Sequence, residues 1–499
     1  MPVSPVNTDL PSSNLIPGVY VQILTAGGSA VDDASRRVLI WGYRLSTGTY
    51  VPDAPKLYTS QDELNTDHGR GSDIARGYQA FVSQHGPGVF EVWCVGLTPP
   101  SGGTAQTRLI KFTTAATAAG YFDVYVCGHK ASVGVANGDT AATVATNLKT
   151  ELDKIGDLPI TTADDAAGQL TLTYRHKGLI AKVNAQTDLP IRVEQFGATS
   201  MTCSPGTVTC TGNPTGNGNV VVVVGATTIT SAIDSGVQTT NVLAAEKVRD
   251  DINAAAYPVT ASAAGGVVTL LYAKERYVRG ISVSDTVATM TTAAAAGTAG
   301  AGTPTLTSAI TNVEALAFGF AAHVYPYTDN TSVDLLYDSI VLSTNGVNQK
   351  PALVFLGNAD KLANAGAVVT DADPDLTATY RFTLAWCKEA PVQAAEIAAR
   401  YAAAYLFADY AAKNLDGTIL STRSGVPLLN PHVVDRPPQS DMNSAMRTYY
   451  MTPIVVDARG NLTILRAMTT SNDQNQDLRE VSTVRQLDTA RPSLSGTLS

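Results

Sequence analysis

Two segments in the middle of this 499-residue chain repeat one pattern, and the repeat constrains the fold more than any other feature. A helix-like stretch, at residues 140–155 and 239–256, precedes each copy, and a strand-like run precedes each helix, at 121–126 and 220–224. An internal duplication of a small α+β module is the simplest explanation. The matching runs, 98 to 99 residues apart, are Pro159-Ile160-Thr161 with Gly168-Gln169-Leu170-Thr171-Leu172-Thr173-Tyr174, and Pro258-Val259-Thr260 with Gly266-Val267-Val268-Thr269-Leu270-Leu271-Tyr272.

The duplicated region has its own composition, rich in Ala, Thr, Val and Gly from residue 104 to residue 305. It ends in the tract 293–305, which predicts a flexible return linker. A chain of 499 residues is also longer than one hydrophobic core normally supports. We therefore predict an insertion of two modules, residues 105–205 and 206–305, within another domain.

The sequence on both sides of the insertion alternates between strand and helix patterns. Before the insertion, residues 38–42 and 89–95 predict buried strands, with a helix between them at 74–84. After the insertion, residues 317–324 and 352–357 predict strands, with a helix between them at 332–342. A helix opening at Pro391 and extending to Lys413 carries Ile397, Tyr401 and Tyr405 on one face, a spacing typical of core residues. Residues 449–456 and 462–465 predict two strands around a turn.

This alternation indicates the α/β class. The predicted fold is a mixed α/β, multidomain chain with a discontinuous core domain at residues 31–104 and 306–470.

A strand near the N terminus has no partner close to it in sequence. A proline-rich arm precedes it and a glycine pair follows it, so its hydrogen-bond ladder must be completed elsewhere. Another subunit or an edge of its own domain would serve, and the residues alone leave both open. The strand residues are Val19, Tyr20, Val21, Gln22, Ile23 and Leu24.

The charge balance argues against nucleic acid as a partner. Lys and Arg number 34 against 43 Asp and Glu, a net charge of −9, so no excess of cations is present to neutralise phosphates. Five scattered cysteines fit reduced thiols better than a disulfide framework. The sequence opens without a signal-peptide pattern and has no apolar run of membrane-spanning length, so we expect a soluble, unexported protein without direct membrane insertion.

The sequence carries none of the usual catalytic or cofactor signatures, and its six histidines stand singly. We predict no catalytic residue, no cofactor and no metal. The run Asp371-Ala372-Asp373-Pro374-Asp375 could converge on calcium, but such a run more commonly builds a turn or a helix start. A polysaccharide hydrolase would need paired carboxylates, for which Glu151 or Asp153 could be chosen only arbitrarily.

Four stretches frame the chain in a recognisable order. They are Leu15-Ile16-Pro17-Gly18-Val19-Tyr20-Val21, Tyr325-Pro326-Tyr327-Thr328-Asp329, Asp435-Arg436-Pro437-Pro438, and, most specific, Tyr450-Met451-Thr452-Pro453-Ile454-Val455-Val456-Asp457-Ala458-Arg459-Gly460-Asn461-Leu462-Thr463-Ile464-Leu465-Arg466-Ala467-Met468-Thr469-Thr470. Together they resemble the contractile tail sheath proteins of bacteriophages, especially the Mu-like branch. The last stretch is similar to that family's closing pattern of two strands around a glycine turn, followed by a double threonine.

The resemblance implies a virion structural protein of the phage tail, assembled in the host cytoplasm. Such subunits form stacked hexameric rings around a tail tube and contract to drive the tube through the host envelope. The implied partners are further copies of the chain, the tail tube protein, and the baseplate and tail terminator proteins.

In this family, terminal arms add strands to a neighbour's sheet. The resemblance makes residues 1–30 an N-terminal arm whose inter-subunit strand is residues 19–24, and residues 471–499 a C-terminal arm or tail. That last segment departs from the family because it has no aromatic residue after Asp477; Leu478, Val481, Val484 and Leu487 recur as a helix face, and residues 492–496 predict a frayed tail. The possible arm-accepting residues lie in the closing strands: Ile454, Val455, Val456, Leu462, Ile464 and Leu465.

Two other functions fit the same sequence. One is the sheath of a phage-derived, tailocin-like injection device that has no capsid. The other is a surface-binding module, which the Thr- and Ala-rich insertion favours and the missing export signal opposes.

Overall fold

A computed structural model of the protein describes residues 37–86, 88–178, 189–197, 201–255, 258–273, 276–344, 350–371, 375–408, 414–420, 430–472 and 476–495. The strands of this part of the chain are β1 (Arg37–Tyr43), β2 (Pro55–Tyr58), β3 (Glu91–Leu97), β4 (Thr107–Thr113), β5 (Gly120–Val126), β6 (His129–Val135), β7 (Ile160–Asp164), β8 (Gln169–Tyr174), β9 (Ile191–Gly197), β10 (Thr202–Ser204), β11 (Gly206–Thr211), β12 (Gly218–Val224), β13 (Thr227–Ile233), β14 (Val259–Ala264), β15 (Val267–Tyr272), β16 (Ile281–Asp285), β17 (Thr291–Ala295), β18 (Ala322–Val324), β19 (Leu353–Asn358), β20 (Phe382–Trp386), β21 (Thr452–Val456) and β22 (Leu462–Ile464).

The helices are α1 (Gln61–His68), α2 (Asp73–His85), α3 (Ala141–Asp153), α4 (Asn241–Ala255), α5 (Thr307–Glu314), α6 (Asn330–Ser343), α7 (Leu362–Thr370), α8 (Ala394–Phe407), α9 (Gln439–Arg447) and α10 (Val481–Ser495). Short 3-10 helices lie at Leu376–Ala378, Val433–Asp435 and Gln476–Arg479. Among the described helices, none combines the length and hydrophobicity that a membrane span requires.

The largest sheet joins strands from both sides of the inserted region. Its eight strands lie in the order β2-β3-β1-β18-β19-β20-β21-β22. The six central strands run parallel, and β2 and β22 are antiparallel to their neighbours. Val38 in β1 lies opposite Val92 on one side and Ala322 on the other, so the sheet is continuous across the insertion point. The predicted mixed α/β class is confirmed.

Helices cover both faces of this sheet. On one face α2 and α8 form an apolar layer, in which Tyr401 and Tyr405 of α8 pack on Phe355 with ring centroids 5.1 and 5.2 Å apart. The aromatic stripe predicted for this helix is therefore core. On the other face α5, α6, α7 and α9 contribute a second apolar layer.

Capping residues set where these helices begin. The Ser72 hydroxyl accepts the backbone N–H of Ala75 and opens α2, one residue before the predicted start. Helix α8 begins at Ala394, three residues after Pro391, and ends at Phe407, before the predicted end at Lys413. Residues 409–413 lie outside the described part of the chain.

The inserted region contains two sets of strands with the same order. The first set forms sheets β7-β8-β4-β10 and β6-β5-β9, and the second forms β14-β15-β11-β17 and β13-β12-β16. Helix α3 packs in the first core and α4 in the second. A duplicated module would produce this arrangement.

Two parts of the chain are more ordered than the sequence indicates. The tract 293–305, predicted as a flexible linker, begins inside β17, and Ala301 pairs with Thr104 through N–O distances of 2.9 and 3.1 Å. The two chain crossings into and out of the insertion are thus bonded to each other. The C-terminal helix α10 also continues through Pro492, where a frayed tail is predicted.

Candidate assembly surfaces

The predicted inter-subunit strand, Val19 to Leu24, lies outside the described residues, which begin at Arg37. Arg37 opens β1 at the edge of the core, where its Nε lies 2.6 Å from the Glu91 carboxylate. Its guanidinium also stacks over Phe318, 4.6 Å from the ring centroid. Arg37, the first described residue, is therefore fixed on the central sheet by its side chain.

The closing residues predicted to accept an arm form one β-hairpin. Ile454, Val455 and Val456 lie in β21 opposite Ile464, Thr463 and Leu462 of β22, and Leu465 follows directly. The Asp457 carboxylate closes the turn by accepting the backbone N–H groups of Arg459 and Asn461, each at 2.8 Å. Gly460 has a φ of +85°, a conformation that favours glycine. The glycine turn of the sequence pattern thus has a clear structural cause.

The outer edge of β22 is already paired within the chain. Leu420 donates its N–H to the Leu462 carbonyl at 2.9 Å, and Ile464 donates to the Thr418 carbonyl at 3.0 Å. Residues 417–420 therefore extend the hairpin as a third strand-like segment. An added strand could not use this edge without displacing them.

The other edge of the hairpin is different. Strand β20 pairs with β21 only at Thr452 and Pro453, and no other described strand lies beside Ile454 and Val456 on that side. Backbone groups alternate between the two sides of an antiparallel strand. Since Leu465 donates to the Pro453 carbonyl at 2.9 Å, the groups of Val456 face away from β22, toward this edge.

Buried hydroxyls anchor the base of the hairpin to the core. Thr452 Oγ1 donates to the Met468 carbonyl at 3.0 Å and accepts the Met468 N–H at 2.9 Å, and Thr383 Oγ1 donates to the same carbonyl at 2.6 Å. Thr470, from the double threonine, donates to the Leu376 carbonyl at 2.7 Å. These hydrogen bonds attach the closing segment to the core both before β22, at Thr452, and after β22, at Met468 and Thr470. The threonines of the sequence pattern are therefore structural.

The C-terminal helix α10 packs against the same region. Val481 and Val484 are buried, as the predicted helix face requires, while Leu487 is exposed. Asp488 accepts from Arg381 Nη1 at 2.6 Å, and Arg485 donates to the Ala408 carbonyl at 3.1 Å. In the described chain this segment lies on its own core.

The inserted region contacts the core through buried polar groups that local sequence patterns do not predict. His176, after β8, has its Nε2 2.8 Å from a carboxylate oxygen of Asp73, which also accepts from the Tyr327 hydroxyl at 3.1 Å. The His176 ring packs 4.8 Å from Tyr43 and 4.7 Å from Tyr174. Doubly wound folds usually bind ligands in the crevice where the strand order reverses, at the carboxyl ends of the strands. In this sheet that position lies between β1 and β18, and His176 of the insertion occupies it.

A second contact joins the later module to the loop before α8. Glu389 accepts the backbone N–H of Ala226 at 2.6 Å, and Arg279 donates to the Val392 carbonyl at 3.0 Å. Both charged residues are about 5% exposed, and their closest charged atoms lie 3.7 Å apart. Each module therefore contacts the core through its own buried polar groups, His176 in the first and Ala226 and Arg279 in the second.

A buried ion pair lies behind the first contact. Arg76 of α2 donates through Nε to Glu396 of α8 at 3.0 Å, and both side chains are at most 2% exposed. Burial disfavours the charge of Arg76, but the neighbouring Glu396 carboxylate holds its pKa above the ordinary value. The pair ties together the two helices that cover one face of the sheet.

The histidines, aspartates and cysteines that could in principle serve catalysis or metal binding have structural roles here. Burial lowers the pKa of His68 and His129 to about 4 and that of His323 to about 3, so these rings are neutral at pH 7. Asp375 caps the 3-10 helix that follows it by accepting from Thr377 N–H, which fits the turn interpretation; Ala372, Asp373 and Pro374 lie outside the described residues. Within the described ranges, no three potential metal ligands cluster. All five cysteines are buried free thiols, as predicted.

Tail sheath proteins are among the proteins similar to this chain, and no family model matches the sequence. One is the Mu-like prophage FluMu tail sheath protein of Haemophilus influenzae, 29% identical over 171 residues, which confirms the resemblance to the Mu-like branch. The chain spans about a third of that relative's length, and the match covers 34% of each protein.

Two crystal structures of sheath tail proteins also match this chain. The one from Desulfitobacterium hafniense matches 96% of this chain and 82% of its own, with 13% identity and a TM-score of 0.39. The one from Listeria innocua matches 91% of this chain and 74% of its own, with 9% identity and a TM-score of 0.37.

Proposed function

We propose that this chain is the structural subunit of a contractile phage tail sheath. It would polymerise as stacked hexameric rings around a tail tube and contract to drive the tube through the host envelope. Its partners would be other copies of itself, the tube protein, and the baseplate and terminator proteins. The protein would act in the virion tail and have no catalytic role.

The observation that carries this proposal is the closing hairpin. It lies in the segment with the most specific resemblance to the sheath family, and its β21 edge has no partner among the described strands beyond Pro453. The N-terminal run Val19 to Leu24 is a strand pattern without a local partner. Addition of that strand to a neighbour's β21 would supply main-chain hydrogen bonds to both.

Strand addition also suits a machine that changes shape. A strand shared between subunits keeps them connected while rings rotate and translate, because the moving parts are linked through a short segment rather than a broad interface. Contraction would then be the passage from a metastable extended packing to one of lower free energy. This mechanism needs no nucleotide or metal.

Electron microscopy of the purified full-length protein across a concentration series tests the assembly. We expect hollow cylinders or rings with a lumen wide enough for an inner tube. A variant lacking residues 1–26 should remain folded by circular dichroism but form no cylinders. Cylinders of normal length from this variant would contradict strand exchange through the N-terminal arm.

The same surfaces would serve the sheath of a capsid-free injection device. Particles isolated from the producing cell separate the two cases, since a virion carries a DNA-filled head and an injection device ends at a terminator without one.

A further inference from the structure

A cavity of about 240 Å³ lies beside α5 and α6, at the end of the central sheet where the parallel strands begin. Its other walls are the run Phe318-Gly319-Phe320, which precedes β18, and the pair Lys350 and Ala352, which precedes β19. A single water molecule needs only about 10–15 Å³, so the cavity has room for a larger group. Leu342 lines the cavity and is 55% exposed, so the cavity opens to the surface.

Apolar side chains make up about half of the residues that line this cavity. The rings of Phe318 and Phe320 pack edge to face with their centroids 5.7 Å apart, and Phe320 packs in the same way on His323, also at 5.7 Å. An apolar side chain of moderate size would therefore fit between the two helices and the sheet. The apolar residues of the lining are Val313, Phe318, Phe320, Ile340, Leu342 and Ala352.

Two polar residues of the lining are hydrogen-bond donors. His323 Nδ1 accepts from Trp41 Nε1 at 3.3 Å, and burial lowers the pKa of the His323 ring to about 3, so the neutral ring carries its proton on Nε2. No described residue accepts from that Nε2–H group, although His323 is only 5% exposed. Lys350 donates to the Leu316 carbonyl at 2.6 Å and forms no ion pair within the described ranges. The cavity therefore suits an occupant that carries hydrogen-bond acceptors or negative charge.

The described chain begins beside this cavity. The Arg37 carbonyl accepts the N–H of Ala321 at 2.9 Å, and the Arg37 guanidinium stacks over Phe318 of the cavity wall. Trp41, four residues further along β1, packs in the same apolar layer as α5 and α6, and alternate residues of a strand share a face. Arg37 therefore lies on the cavity side of the sheet. Of the 36 residues that precede Arg37, the last few must lie close to the cavity.

We propose that the cavity holds residues 31–33 of the same chain, with Val31 against the apolar lining and the acidic pair Asp32 and Asp33 toward Lys350. Val31 precedes Arg37 by six residues, a span of at most about 20 Å. Among residues 29–36, Val31 has the only apolar side chain larger than alanine, and the only two acidic residues follow it directly. This contact fixes the base of the N-terminal arm on its own subunit, so it does not depend on assembly.

Paired cysteines in the full-length chain test this contact. Under mild oxidation, Val31→Cys with Leu342→Cys should form an intramolecular disulfide about tenfold faster than the control pair Val31→Cys with Val89→Cys, since a disulfide requires Cα atoms within about 7 Å. Val89 is 43% exposed and lies two residues before Glu91, which pairs with Arg37, so the control thiol is near the arm but outside the cavity. The five native thiols are buried and should not compete. Mass spectrometry of unreduced digests, at a protein concentration that gives no cylinders, identifies the linked peptides.

An exchange of charges tests the acidic pair separately. Lys350→Glu should slow the cross-link about threefold, because it replaces an attraction with a repulsion, and adding Asp32→Lys and Asp33→Lys should restore the rate. Thermal melting of each variant verifies that the fold is kept. A cross-link no faster than that of the control pair would overturn the proposal. So would a disulfide found only between two chains, or a rate that Lys350→Glu leaves unchanged.

Discussion

The stability of the core depends on a few buried charged residues. Glu396 lies between Arg76 and Arg400, all three are at most 2% exposed, and burial lowers the pKa of Arg400 to about 10 despite the nearby Glu396. Removing the carboxylate would leave the buried Arg76 without the counter-charge that it pairs with. We expect Glu396→Gln to lower the free energy of unfolding by about 3–5 kcal/mol.

Urea denaturation measures this effect, and the exposed pair Lys149–Asp153 on α3 provides the control. Lys149→Gln should cost under about 0.5 kcal/mol, because an exposed i,i+4 pair contributes little. Equal losses in the two variants would contradict the assigned role of the buried pair.

Asp435 gives the protein a specific pH dependence. Burial raises the pKa of its carboxyl from 3.8 to about 7, and its Oδ1 has no hydrogen-bond partner among the described residues. Between these pH values the folded chain keeps a proton that the unfolded chain releases. Stability should therefore fall as pH rises from about 4 to about 7, by up to about 1.4 kcal/mol per pH unit from this group.

Melting temperatures of the wild type and Asp435→Asn at pH 5 and pH 8 check the sign. The asparagine variant should gain relative to the wild type at pH 8, where the buried aspartate is charged. Asp250→Asn, at an exposed carboxylate, controls for general changes in charge. Parallel pH profiles for the wild type and Asp435→Asn would rule out the buried titration.

At the level of secondary structure, one backbone donor distinguishes the free edge of the hairpin from its paired edge. The N–H of Val456 faces the open side of β21, so Val456→Pro should leave the folded subunit intact, since proline is tolerated on strand edges. If a neighbour's arm pairs here, the same change should reduce cylinder formation at least tenfold by electron microscopy. Val455→Pro is the matched control, because its N–H faces β22 and its loss should destabilise the subunit itself.

A Val456→Pro protein that assembles like the wild type would place arm addition elsewhere, for instance at the opposite sheet edge formed by β2.

The helices and strands followed from local patterns, whereas their long-range partners did not. Apolar periodicity predicts α2 and the β21–β22 hairpin, because an element that buries one face has apolar residues at regular intervals along its sequence. The pairing of residues 417–420 with β22 left no such trace, since an edge segment needs only backbone groups. His176 and Arg279 gave no signal either: a lone charged residue in a sequence does not reveal that a distant segment will bury it.

The role of the aromatic-proline-aromatic turn is visible only from its tertiary contacts. The sequence marked Tyr325 and Tyr327 through a family resemblance, and the structure places Tyr327 against Asp73 and Tyr43, next to the insertion. The motif is thus part of the junction between insertion and core. Contacts of this kind depend on residues more than 250 positions apart, which local pattern reasoning does not reach.

For the molecule as a whole, the main question is whether the insertion can be removed. The sequence predicts an autonomous unit, so deleting residues 104–305 and joining the ends should leave assembly largely intact. The adjacent crossings at Thr104 and Ala301 make such a junction sterically simple. The buried contacts argue for a cost, because the deletion would strip Asp73 of His176 and Glu389 of both Arg279 and the Ala226 N–H.

We therefore expect the simple deletion to yield a core less stable by several kcal/mol, since Asp73 and Glu389, which are buried in the intact chain, lose the partners that offset their desolvation. Adding Asp73→Asn and Glu389→Gln to the deletion should recover soluble protein, because neutral amides at these positions tolerate the loss of a cation. The comparison is made by yield of soluble protein, melting temperature and cylinder formation. Recovery of cylinders by the substituted deletion would show that the insertion stabilises the subunit without taking part in assembly, whereas a soluble, folded core that forms none would show that the sheath lattice itself requires the modules.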